Sequence, residues 1–95
     1  MPRESQIQKG MRQHLESSGV SSVSISRFMR HVLPENKDPR AQVIGINRRL
    51  RTDLGNCRGD TITARSCLQD SMDFDEWLHC FGRYIVPALL RHGLL

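Results

Sequence analysis

No run in this chain approaches the ~20 consecutive apolar residues of a membrane-spanning helix, and the polar opening Met1-Pro2-Arg3-Glu4-Ser5-Gln6 lacks the apolar core of a secretory leader. Aromatic residues are scarce at 5%, with a single tryptophan, Trp77, and a single tyrosine, Tyr84. The three cysteines, Cys57, Cys67 and Cys80, leave one over after any pairing. None stands two to four residues from another, the spacing at which structural zinc sites usually bring their ligands. A Gly-rich phosphate loop, Gly-x-Ser-x-Gly and His-Glu-x-x-His are all missing. These absences predict reduced thiols, no metal, no cofactor, no catalytic residues and no enzyme activity. They also predict no membrane partner and a cytoplasmic location, or a nuclear one in a eukaryotic cell.

What is present is arginine. Twelve of the 14 basic residues are Arg, a side chain that forks onto phosphate and guanine, although GC-rich coding would produce the same bias. The charge is uneven. Residues 1–65 hold twelve Arg and Lys against six Asp and Glu, which is +6, and residues 66–95 hold two against four, which is −2. The excess favours an acidic partner for the first two-thirds of the chain. The 95 residues fit one domain spanning 1–95, with residues 1–5 expected to be flexible, and a chain this size holds one modest core.

Periodicity predicts a mainly α, single-domain bundle of about four helices. Ile7, Met11 and Leu15 recur every four residues in a first helix over 3–17, weakened by Gly10. A second helix is expected over 24–33, capped by Ser24, with Phe28, Met29 and Val32 inward and Pro34 stopping it. Asp38-Pro39 marks the next start, with Asp as N-cap and Pro at the first helical position. From there Val43, Ile46, Leu50 and Leu54 share an arc of about 80°. Residues 56–66, with Thr61, Ile62 and Thr63 after Gly55 and Gly59, read as either a short β-hairpin or a loop. The longest helix is expected over 72–92. Asp73 and Glu76 make a capping-box-like start, and Phe74, Trp77, Leu78, Phe81, Ile85, Ala88 and Leu89 share one face. A kink or break is expected at Pro87.

A short helix, a connection over residues 34–38 and an arginine-lined helix resemble, in a generic way, a helix-turn-helix pair presenting residues 39–53 to the major groove. That resemblance covers about thirty residues and implies duplex DNA as partner. Arg40, Arg48 and Arg51 lie opposite the apolar arc, with Arg49 and Asn47 beside them, and Arg27, Arg30 and Lys37 precede them as phosphate contacts. The connection is longer than the usual three- or four-residue turn. The alternative is a protein-interaction module (an adaptor, chaperone or small inhibitor) whose arginine face docks on an acidic protein surface. Ile44, among the arginines, would either meet a thymine methyl or mark a protein-contact patch, and leans towards the latter. The apolar C-terminus, with Val86 and Leu90 off the main stripe, is either buried through Pro87 or forms a homodimer surface. Arg58-Gly59-Asp60 is read as a chance turn sequence, and the acids of residues 70–76 as helix-capping groups in preference to a site for a basic partner or an answer to the arginine face within the fold.

Overall fold

The computed structural model describes residues 5–35, 38–55 and 61–95. Among them five helical rods form, and no strand: α1 (Gln6–Ser17), α2 (Ser22–Val32), α3 (Pro39–Gly55), the short α4 (Thr61–Ser66), and a last rod. That rod runs through α5 (Phe74–Cys80), a π-turn (Phe81–Ile85) and α6 (Val86–Arg91).

Each start has a local cause. Ser5 accepts from the N–H of Gln8 at 3.2 Å while the Gln8 side chain accepts from the N–H of Ser5 at 2.8 Å, a capping box that satisfies two orphan donors of α1. Ser5, grouped above with the flexible start, is therefore tied into the helix; residues 1–4 lie outside the described residues. α2 begins earlier than expected, because Ser21 and not Ser24 supplies the cap, accepting from the N–H of Ser24 at 3.2 Å. The longer helix leaves Val23 in water at 66% exposure. Asp38 accepts from the N–H of Ala41 at 3.3 Å, so the start of α3 is as expected.

Neither the short hairpin nor the loop offered for residues 56–66 forms over 61–66, which are helical; residues 56–60 lie outside the described residues. The residues that bury themselves here are Ala64, Cys67 and Leu68. Their spacing of three and four suits a helical turn, and the alternation around Ile62 misleads. α2 and α3 pack on one another, but residues 33–38 make a connection longer than a helix-turn-helix turn, so the pair carries no such assignment.

The last rod answers Pro87 without a break. Proline has no N–H for the carbonyl four residues back. The chain widens by one residue just before it, with the N–H of Val86 donating to the Phe81 carbonyl five residues away, and then continues as helix. The extra residue turns Val86 inward until it is fully buried, together with Phe81 and Ile85, while Leu90 stays 44% exposed. The apolar surface available to a second copy at this end thereby shrinks to Leu90 and Leu94.

The core lies where this rod meets α1 and α3. Trp77, Phe81, Met11, Leu15, Ile46, Leu50 and Leu54 are all sealed from solvent, and the Trp77 and Phe81 rings stack at 5.6 Å between centroids. Cys67 is buried with its thiol against that of Cys80, and its Sγ–H donates to the Thr63 carbonyl at 3.5 Å. Burial, and then the neighbouring thiol, push the Cys67 pKa up from 9.0 to about 12. Between these pH values the unfolded thiol ionises and the folded one does not, so stability falls as pH rises from about 9 to about 12. The Cys67→Ala variant should lose that part of the alkaline decline in urea titrations. In the folded wild type Cys67 should resist iodoacetamide at pH 8, and rapid labelling would contradict its burial.

Candidate nucleic-acid interface

α3 carries five of the sequence-predicted contacts, and the fold separates them into three environments. Val43, Ile46, Leu50 and Leu54 point inward as expected, which sends Arg40, Arg48, Arg49 and Arg51 outward, all exposed.

Asn47 does not join them. It is fully buried: its Oδ1 accepts from the Trp77 indole N–H at 2.7 Å, and its Nδ2–H donates to Asp70 Oδ1 at 2.9 Å. A side chain spent on both a core indole and a carboxylate cannot reach a base edge, so its expected place at the interface is corrected. The cause is tertiary. Trp77 brings an N–H into the core, and a buried N–H requires an acceptor. Gln42, next to the arginine face on the helical wheel, is likewise withdrawn, with only 7% of its surface exposed.

Arg51 remains on the surface but is engaged by its own chain. It donates to the Leu68 carbonyl at 3.2 Å and stands 3.6 Å from Asp70. With roughly 45% of both side chains exposed the ion pair itself is weak, but together with Asn47 it straps residues 68–70 along α3. Asp70 thus has a role in the fold that the capping explanation missed.

The other arginines divide between the two flanks of α3. Arg40 lines a channel of about 330 Å³ with Val43, Met72 and Phe74, rimmed by Asp38 and Asp70. Arg48 and Arg49 line the groove between α3 and α2, together with His31, Leu33, Pro34 and Gly45. Gly45 makes the seam close: a Cβ there would stand 2.8 Å from the Pro34 ring. His31 Nε2–H donates across the same seam to Asp53 Oδ2 at 2.8 Å, and His31 also lines the next groove with Ser24 and Arg27. His31 thus borders two grooves: Arg48 and Arg49 line the one between α2 and α3, and Arg27 lines the other, between α2 and Gly93, Leu94 and Leu95. Arg30 is exposed on α2 as well. Among the described residues Arg27, Arg30, Arg40, Arg48 and Arg49 have no ion-pair or hydrogen-bond partner. Lys37, the remaining predicted contact, lies outside the described residues.

Sequence reasoning missed His31. Its signal was local, since it sits four residues after Arg27 on the same side of α2.

No described helix is long and apolar enough to cross a membrane, and the described residues hold no cluster of three or more His, Cys, Asp or Glu able to bind a metal. No family model matches this chain, and no curated protein and no solved structure matches it.

Proposed function

We propose that this protein binds nucleic acid, with duplex DNA as the ligand, through the arginines of α2 and α3. The observation that carries the reading is the set of Arg48 and Arg49 on the seam with Arg27 and Arg30 on α2: exposed guanidiniums, none neutralised by a carboxylate among the described residues. A fold that pairs His31 with Asp53 and Arg51 with Asp70 but leaves these cations open has a surface suited to a polyanion. Arg40 is at most a peripheral contact, because it stands on the other flank beside Asp38 and Asp70.

The test is binding of the whole protein to a short fluorescent duplex at low salt. Arg48→Ala and Arg49→Ala should each weaken binding about 5- to 150-fold, the range expected when a charge-assisted phosphate contact of ~1–3 kcal/mol is lost. Both side chains are exposed, so the fold should be unaffected. Absence of binding at low salt would end this reading.

A second reading has one observation of its own. The channel beside Arg40 is apolar at its base, where Val43, Met72 and Phe74 meet, and a peptide presenting an acid next to an apolar side chain would fit it. A stoichiometric protein partner, lost on Arg40→Glu and indifferent to DNA, would favour this adaptor-like role.

A further inference from the structure

Resting on the nucleic-acid reading, we infer that this surface takes the sugar–phosphate backbone of the duplex as its ligand and does not read the bases. Adenine edges are read by the amides of Asn and Gln, which both donate and accept, whereas guanine takes arginine or lysine, cytosine an acid and the thymine methyl an apolar side chain. α3 has two amide side chains of the first kind, and the fold withdraws both. Asn47 is held by Trp77 and Asp70, and Gln42 is more than nine-tenths buried. The Thr52 hydroxyl, which could also both donate and accept, is turned back onto the Arg48 carbonyl at 3.1 Å. What remains outward is Arg48 and Arg49 on the seam and Arg27 and Arg30 on α2, which only donate.

The placing of these arginines argues the same way. Arg48 and Arg49 do not crown a bare ridge of α3. They line a groove whose opposite wall is His31, Leu33 and Pro34 of α2 and its C-terminal exit. A phosphate strand entering the seam meets Arg48 and Arg49, and one continued past His31 into the adjoining groove meets Arg27.

The experiment uses the full chain and three 20-base-pair duplexes, one A·T-rich, one G·C-rich and one mixed, with a single strand of equal length, across a salt series. The expected result is affinity equal within about threefold for the three duplexes, where base readout would separate them tenfold or more. With up to four phosphates neutralised, the slope of log K against log salt should be about −3 to −4. Each of Arg27→Ala, Arg48→Ala and Arg49→Ala should reduce the slope by about one, equally on every duplex. Binding of one duplex more than tenfold tighter, with Arg48→Ala abolishing that preference, would overturn the inference and leave the nucleic-acid reading standing. Preference for the single strand over every duplex would overturn it also. Failure to bind any of the four at low salt would instead defeat the underlying reading.

Discussion

Trp77→Ala is expected to lower the stability of the fold by about 3–5 kcal/mol, the range found when large aromatic residues are removed from a packed core. Domains of this size are held by about 5–15 kcal/mol in total, so this one side chain accounts for a large share of the margin. Three observations combine to give the magnitude. The indole is completely sealed from solvent, it stacks on Phe81 with an interplanar angle of 18°, and its N–H is spent on Asn47. The void left by alanine could not collapse easily, because α1, α3 and the last rod all meet around it. Urea denaturation followed by circular dichroism would measure the loss, and in a domain this small each kcal/mol should lower the melting temperature by about 4–8 °C. A loss below about 1 kcal/mol would mean that the indole is not enclosed as described.

Asn47→Leu should cost about 2–4 kcal/mol although leucine is similar in size and more apolar, because it strands the Trp77 N–H in the core and removes a donor from Asp70. If Asn47 were the solvent-facing DNA contact that its place among the arginines suggests, the same substitution would leave stability almost untouched and weaken binding instead. The two outcomes are opposite, which makes this the sharpest test of the structure. A double-mutant cycle isolates the bond. In a Trp77→Phe background no indole N–H remains to be stranded, so Asn47→Leu should cost about 1 kcal/mol or more less than in the wild type. Strict additivity would show that the 2.7 Å contact carries no energy of its own.

Asn47→Leu also cuts the strap formed by Asn47, Arg51 and Asp70. By holding residues 68–70 on α3 it positions Leu68 in the core, and it consumes two of the five α3 side chains on which a groove-reading helix would depend. What it leaves is the seam with α2. The region that binds, on our reading, is thus a by-product of how the core satisfies its tryptophan.

The helices themselves were legible from local chemistry. Asp38-Pro39 marks a start because aspartate caps and proline tolerates the first turn, and Val43, Ile46, Leu50 and Leu54 bury because the helical period brings them to one side. The inward face of α3 follows from that period alone. Gly10, a weak helix former that sequence counts as a cost, stands where a Leu78 methyl occupies the space a Cβ would need, so its value is visible only once α5 packs on α1. Pro87 had to disturb the last helix, yet whether by kink, break or widened turn depended on the gain from burying Val86.

The amino-acid sequence by itself determined the helical character, the main caps and the apolar side of α3, because these depend on residues three and four apart. Only the tertiary structure decided which arginines stay free. Asp70 lies 19 residues beyond Arg51, and Trp77 lies 30 beyond Asn47, so no local pattern could reveal that one guanidinium and one amide are already spoken for.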